Sequence, residues 1–528
     1  MPIIETKIDK FDGGIVNDPR DSRENVARII SNFDILTNPR KMSPYRDSED
    51  GDTDSNNKRI RNFAIALRTG TTYSLYGLGV TTGAGVAEVY YKNLTDTSTN
   101  DLGDGGFTET LNNASASGAA NFDLFVYYAL QGRIYGAKAN VIWAYDPAGS
   151  ATFAEGGTGE SLNVTYTSIA QGLVHSKDDI LYVPYDNKIA RNNAGTWTAT
   201  VLTIPTHYVI SSICEFGNFI AIAAAPIAGI GNSRVYLWDR DSSLVTLSES
   251  IDWGEGVIKI LEEVDGELIG ISQIGGAATG SIPLIATASF ADKVIFRRLV
   301  GTRAIKFLTL IGGSDTTVLP IAKQKANQRL YFMMIVTLNG ALREGVWSIG
   351  RPTIDSPFVL VHERTPNNAT ALTSPILYNF ILAEDYLLQS YNDTAVFEMS
   401  KTIDTATFTS QIAIYESQIF DGRRKGFDAS YYKKLKEISV TTEFLPAAGD
   451  VRMRYRTDAN IPSGSWTTIF TNTTDNSISR TGINIASTGA ELPDDYKEIQ
   501  FRIESLGNAE ITGLIFKEEI KPKRYDTA

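Results

Sequence analysis

An apolar hairpin returns about every fifty residues along this chain, and that repeat restricts the fold more than any other feature. Each unit holds an apolar stretch, a short polar turn, a second apolar stretch and an aromatic-marked segment that closes it. The closing segments read VAEVYYK from Val86, VIWAYDP from Val141, NKIARNN from Asn187, RVYLWDR from Arg234, KVIFRRL from Lys293, GVWSIGR from Gly345 and AVFEMSK from Ala395. The hairpins themselves start at Phe63, Leu124, Ser168, Val209, Val257, Leu319 and Ile376. Gly, Asn and Asp occupy the turns, as in EFGN and VDG, and supply the positive φ values that tight hairpin turns need. A unit of roughly forty to fifty residues with about four strands is the signature of a β-propeller blade. The continuous apolar runs suit inner strands packed on both faces. Seven hairpins predict six or seven blades, because one unit can be shared between the chain ends to seal the ring.

The repeat leaves both ends of the chain outside it. Residues 1–60 read as an irregular arm with an acidic loop, punctuated by the turn signals Gly13-Gly14, Asp18-Pro19 and Asn38-Pro39. Val26, Ile29, Ile30 and Phe33 have helical spacing, yet IISNFDIL reads equally as a strand. The stretch RDSEDGDTDSNNKR, residues 46–59, reads as a solvent loop. The propeller takes residues 61–405, with Thr95–Ala120, Ala224–Asn232 and Gly275–Gly280 as Gly-rich inserted loops. From residue 406 the pattern shortens to strict alternation. Ile438, Val440, Thr442 and Phe444 face one way; Val451, Met453 and Tyr455 alternate with Arg452, Arg454 and Arg456; Ile499, Phe501 and Ile503 alternate with charged neighbours. Such half-buried strands over 406–528 predict a β-sandwich, ending in a charged tail, KEEIKPKRYDTA, that frays or docks on a neighbour. The expected fold class is all-β: a six- or seven-bladed β-propeller with an irregular N-terminal arm and a C-terminal β-sandwich.

Composition narrows the function classes. A hydrophobic content of 42% fits a folded chain rather than a disordered one. A formal charge of −12 disfavours tight gripping of nucleic-acid phosphates, though it suits a wall past which DNA slides. The lone cysteine, Cys214, excludes an internal disulfide framework, sits in an apolar strand context and fits assembly in a reducing cytoplasm. The start, MPIIETKIDKFDGGIV, lacks the apolar core of a signal peptide. No apolar run of about eighteen residues occurs, so no membrane span is expected.

The chain offers little for catalysis. Its three histidines, His175, His207 and His362, sit in separate repeats without metal-ligand spacing. Neither a GxSxG elbow nor a phosphate-binding P-loop occurs, so no catalytic residue and no cofactor is expected. Asp50, Asp52, Asp54 and Asn56 alternate like the start of a calcium loop. Ser55 stands where that loop needs Gly, and its closing Glu is missing, so the segment reads as a solvated acidic loop. Asp50, Asp52 and Asp54 remain the metal candidates. ARNNAGTW, from Ala190, resembles the Asp-box turn of sialidase propellers, a structural turn, with Asn192 and Asn193 where Ser or Asp belongs. The short basic clusters at Arg297-Arg298 and Arg423–Lys425 read as solvated or salt-bridged.

Both chain ends carry a family resemblance. Gly13-Gly14, Ala27-Arg28, Asn32-Phe33-Asp34 and Pro44-Tyr45-Arg46 resemble the opening of phage structural proteins. KLKEISVTTEFLPAAGDVRMRYRTD, YKEIQFRIES and EITGLIF are similar to β-sandwich modules of phage tail proteins. Taken together the chain resembles the tail nozzle (tail tubular protein B-like) proteins of short-tailed bacteriophages. That resemblance implies a non-enzymatic virion structural protein, assembled in the host cytoplasm as a hexameric ring on a tail adaptor, with viral DNA passing through the lumen. Two other classes stay open: a receptor- or glycan-binding tail or fibre protein, and a propeller glycosidase.

Overall fold

The computed structural model describes residues 2–521 except 12, 16–24, 47, 51–57, 70–71, 82–86, 94–107, 114–123, 139–140, 149–152, 155–161, 228–230, 244–249, 275–281, 290–294, 299–305, 310–321, 339–340, 357, 367–375, 384–385, 394–395, 403–411, 447–448, 462–463 and 473–491. The tight turns have the backbone their sequences predict. Asp265 and Gly266 take φ of 50° and 80°, and Asn327 and Gln328 take 50° and 58°. Two successive positive φ values match the right-handed twist of the strands they join, which is why Asp, Asn and Gly hold three of these four places.

The hairpins build seven four-stranded or slightly larger blades. Blade 1 runs Lys58–Thr69, Thr72–Thr81, Ala87–Asn93, Thr108–Asn113. Blade 2 has Leu124–Tyr128, Arg133–Lys138 and Val141–Tyr145, the last of which pairs with both Phe153–Ala154 and Leu162–Asn163. Blade 3 follows with Leu173–His175, Ile180–Tyr185, Lys188–Asn193 and Thr196–Thr203. Blade 4 uses Tyr208–Phe216, Phe219–Pro226, Asn232–Trp238 and Ser250–Glu255, and blade 5 Val257–Val264, Glu267–Ile274, Ile282–Ser289 and Ile295–Arg298. In blade 6, Lys306–Thr309 and Lys323–Ala326 both pair with Arg329–Leu338, then come Ala341–Gly350 and Val359–Arg364. Blade 7 has Ile376–Ala383, Tyr386–Asp393 and Val396–Thr402, and takes its outermost strand, Ser48–Asp50, from the start of the chain.

Apolar clusters fill every seam of the ring. Tyr76 meets Trp143 between blades 1 and 2, Tyr182 meets Trp238 between blades 3 and 4, and Trp253 meets Leu261 between blades 4 and 5. Ile60 and Tyr90 of blade 1 pack with Leu388 and Met399 of blade 7, which closes the circle. The inner strands of blades 4, 5 and 7 each carry a bulge at the same distance from the strand end, at Ser211, Lys259 and Tyr378. The residue after the bulge can then reach the next blade. Ser212 Oγ accepts from the Leu261 amide at 3.2 Å, and Asn379 donates across the ring closure to Asn62 at 3.1 Å.

The arm is a lace rather than a free extension. Ile3–Ile8 pairs with Ile511–Ile520, which also pairs with Lys433–Thr442; with Asp494–Tyr496 these form one sandwich sheet. Ala27–Ser31 pairs with Ala413–Phe420, beside which lie Ile499–Leu506, Asp450–Thr457 and Thr467–Asn472. The same arm strand also meets blade 6, Ser31 opposite His362 in parallel. A single sheet therefore runs from blade 6 into the sandwich. Phe420, Phe501 and Phe516 form its aromatic centre, with ring centroids 4.7–6.1 Å apart. The Gly13-Gly14 pair belongs to this joint. Gly14 has φ of 64°, and a Cβ there would lie 2.5 Å from Val359 Cβ.

Several sequence expectations change. The aromatic-marked segment is the third strand of six blades, not the closing one; only KVIFRRL in blade 5 holds the outermost strand. The outer strand of blade 3, TWTATVLT, gives no apolar run in the sequence because most of its residues are exposed. Part of Thr95–Ala120, expected as loop, forms the strand Thr108–Asn113. IISNFDIL forms two strands, Ala27–Ser31 and Phe33–Asp34. The start of the charged tail, KEEI, is the end of a central sandwich strand. Phe444 lies beyond the end of its strand and is exposed, while Leu445 enters the core instead.

Candidate functional site

Inner strands of blades 1, 2, 6 and 7 converge on a cavity of about 330 Å³, lined on its polar side by Asn62, Gln171, Lys323, Gln324 and Asn379. Asn62, Gln324 and Asn379 come from the inner strands of blades 1, 6 and 7, and Gln171 from the segment that precedes blade 3. Gln324 exchanges two hydrogen bonds with Leu382, at 2.8 Å and 2.7 Å, so it ties blade 6 to blade 7. Lys323 reaches past blade 5 to donate to the Ile213 carbonyl of blade 4 at 2.8 Å. It also bonds the Leu261 carbonyl and pairs with Glu262 at 3.0 Å. The charged residue of this lining is thus committed to bracing three blades.

A second cavity, about 220 Å³, lies where the arm meets blades 6 and 7. Arg329 bonds Asp34 at 3.0 Å and Thr37 at 2.8 Å, and lies 3.6 Å from Glu363. Glu363 also accepts from Ser348. Burial raises the Glu363 carboxyl above its ordinary pKa and Arg329 only partly opposes this. Burial works against the Arg329 guanidinium, yet Glu363, Tyr45 and Asp34 outweigh it and keep it protonated. Burial also pushes the Tyr45 hydroxyl well above its usual range. Tyr45 and Asp34 come from the arm, Arg329 and Glu363 from blade 6, so this polar knot fastens one to the other. Asp34 also caps its own loop, accepting from the Leu36 and Thr37 amides.

The histidines occupy three unrelated places. His362 is buried; its Nε2 lies 3.0 Å from the Glu344 carbonyl and its Nδ1 2.7 Å from Ser31 Oγ. A carbonyl can only accept, so Nε2 carries the proton and Nδ1 accepts from the serine. Burial holds this imidazole neutral, with its pKa lowered to about 3. Ser31 and His362 superficially match a nucleophile and its base, but both are buried where the arm strand joins blade 6. His175, also buried, lies 3.5 Å from both Asp178 and Glu215 at the seam of blades 3 and 4, and Arg240 bonds Asp178. His207 is exposed and its ring lies tilted against that of Tyr208, 4.3 Å between centroids. These placements bring no two histidines together.

Cys214 is buried between blades 4 and 5, and burial pushes its thiol pKa well up, as expected of a small apolar core residue. Asp52 and Asp54 lie outside the described residues, and Asp50 falls in the strand that completes blade 7, paired with Ser400. Among the described residues no group of three or more His, Cys, Asp or Glu is placed to hold a metal ion. The ARNNAGTW segment forms the turn between the third and fourth strands of blade 3. Asn192 accepts from the Gly195 amide at 2.8 Å and donates to Tyr135 of blade 2 at 3.1 Å. Its role is to lock a turn onto the neighbouring blade. Arg423 in GRRKG pairs with Asp421 two residues away. The residues that sequence reasoning missed are Arg329, Glu363 and Lys323, whose partners are distant in sequence.

No family model and no curated protein matches this chain. Among solved structures it is similar to the Cps50 (Swd1) β-propeller domain of Myceliophteria thermophila. That match has 9% identity and a TM-score of 0.39, and covers 65% of this chain and 97% of that one. Such a likeness concerns the fold alone. The class defined by the coordinates is a seven-bladed β-propeller joined to a β-sandwich. No helix among the described residues is long and apolar enough to cross a membrane.

Proposed function

We propose that this chain is a structural subunit of a short-tailed phage virion, a tail nozzle or hub protein that assembles as a ring around the path of ejected DNA. The observation that supports this most is where the resembling segments fall. The arm and the C-terminal region are separated by the whole propeller in sequence, yet they pair strand to strand in one sandwich: Ala27–Ser31, which carries the Ala27-Arg28 motif, pairs with Ala413–Phe420, and Ile511–Ile520, which carries most of EITGLIF, pairs with Ile3–Ile8. The two cavities support it as well, because their charged groups are engaged in holding elements together. Lys323 braces the propeller axis, so the DNA path in this reading lies between subunits and not through a propeller's own centre. A formal charge of −12 suits such a wall, which repels a duplex and keeps it from sticking. The chain works, on this view, by geometry and electrostatics without turnover. Antibodies against the purified chain should label one end of short-tailed particles in a phage lysate containing it. Unlabelled particles, with the chain wholly in the soluble fraction, would remove this reading.

A receptor- or glycan-binding tail protein is the second reading, and two exposed aromatics favour it. Tyr73 and Phe219 begin the second strands of blades 1 and 4, on the same end of the propeller, and are 48% and 42% exposed. Aromatic faces at such turns can stack on sugars. Saturable binding to host cells that disappears in a Tyr73→Ala, Phe219→Ala double variant would establish it; absence of saturable binding would dismiss it.

A further inference from the structure

The outer face of the sandwich sheet carries more positive charge than its own carboxylates balance. Arg452, Arg454 and Arg456 alternate along Asp450–Thr457, with Arg502 and Glu504 on the neighbouring strand and Glu416 on the next. Register sets Arg454 directly opposite Arg502, Arg502 opposite Glu416, and Arg452 opposite Glu504. Glu504 lies 3.2 Å from Arg452, 3.2 Å from Arg454 and 3.4 Å from Arg502. Glu416 lies 3.5 Å from Arg502 and 3.9 Å from Arg456. Four guanidiniums thus share Glu416 and Glu504, and with Asp450 also beside Arg452 these three strands carry an excess of 4 − 3 = 1 positive charge on this face, in a chain whose total is −12.

The floor and rim of this face differ. Arg456 is the floor: its side chain is 4% exposed, and it donates to Gln500 Oε1 at 2.9 Å and to the Gly464 carbonyl at 3.4 Å, both neutral acceptors. Burial lowers its pKa to about 10; Arg28 and Arg502 push the same way, against Glu416. Arg452, Arg454 and Arg502 form the rim, with side chains 30%, 25% and 16% exposed. Trp466 holds the planes in place, its ring 4.2 Å from the Arg456 guanidinium carbon and 5.6 Å from that of Arg502. Like-charged side chains directly opposite on adjacent strands destabilise a sheet, and buried excess charge is costly unless a counter-ion shares it. Planar guanidiniums in fixed orientation match the paired oxygens of an oxyanion.

We propose that this arginine face binds one compact oxyanion of the phosphate type, bridged by Arg454 and Arg502 over the Arg456 floor. The ligand is inorganic phosphate or a terminal phosphate monoester, because a running phosphodiester strand presents no end that can reach a nearly buried guanidinium. Isothermal titration calorimetry with inorganic phosphate, at ionic strength fixed with chloride, should show one site per chain. Affinity should fall at least tenfold in Arg454→Gln and in Arg502→Gln, rim variants chosen because their side chains are partly exposed; circular dichroism will confirm that each remains folded. A thymidine oligonucleotide carrying a 5′-phosphate should compete with inorganic phosphate, and the same oligonucleotide without it should not. The proposal is overturned if phosphate gives no saturable heat, if folded rim variants bind it as tightly as the parent, or if both oligonucleotides compete equally. Equal competition would assign the face to a nucleic-acid backbone instead.

Discussion

Lowering the pH from about 7 to about 5.5 should loosen the joint between the arm and blade 6, and His362 gives the size of the effect. The imidazole is fully buried, donates to the Glu344 carbonyl and accepts from Ser31, the arm residue paired opposite it. Its pKa falls from the ordinary 6.5 to about 3 in the folded chain. Between those values only the unfolded chain binds the proton. The stability this neutral histidine contributes is therefore present above pH 6.5 and lost as pH falls toward 3. For an unfolded pKa near 6.5, linkage gives about 1.4 kcal/mol lost at pH 5.5 and about 0.2 kcal/mol at pH 7, a difference of about 1.2 kcal/mol. Glu363 and Glu518, whose pKa values burial raises, act in the opposite sense, losing stability as pH rises through their titration. The comparison must therefore be with His362→Gln, which keeps a hydrogen-bonding side chain but has no imidazole to protonate. Denaturant unfolding of both proteins at the two pH values is the assay. The parent should lose about 1.2 kcal/mol more than the variant between them. Equal losses would refute the reasoning, since they would mean His362 does not enter the fold as a neutral donor and acceptor.

Two further outcomes follow from particular backbones and burial. Gly14→Ala should lower stability by about 1–2 kcal/mol from its left-handed backbone alone, and by more from the clash with Val359. Gly132→Ala, at φ of 61° with open space around it, should show only the backbone part, so equal denaturation midpoints for the two variants would contradict the packing claim. Cys214 should resist alkylation in the folded chain and react at the rate of unfolding, followed by mass spectrometry; rapid stoichiometric labelling without denaturant would place it outside the seam of blades 4 and 5.

The propeller was legible because its inner hairpins are buried on both faces and their turns demand special residues; a run such as FIAIAAAP of blade 4 announces itself. The outer strand of blade 3 was not, because Thr196–Thr203 has mostly exposed residues and only its pairing with Lys188–Asn193 makes it a strand. The arm was the larger gap. Its three-residue strand Ser48–Asp50 is polar, and nothing local indicates that it completes a blade whose other strands lie more than three hundred positions away. The sandwich core followed from period-two alternation, and Ile438, Val440, Met453, Phe501 and Ile503 are all buried as that pattern requires. The arginines at 452, 454 and 456 could be read as one face of a strand. That they crowd Arg502 and share Glu416 and Glu504 depends on a register the sequence does not state.

The central claim, a ring-forming structural subunit, is tested most directly by the mass of the purified chain in solution together with negative-stain images of the same sample. Six copies of 57.7 kDa give about 346 kDa, and the account predicts that species as a closed ring with a central opening wide enough for duplex DNA. A single species of 57.7 kDa at every concentration, unchanged when tail adaptor is added, would contradict it.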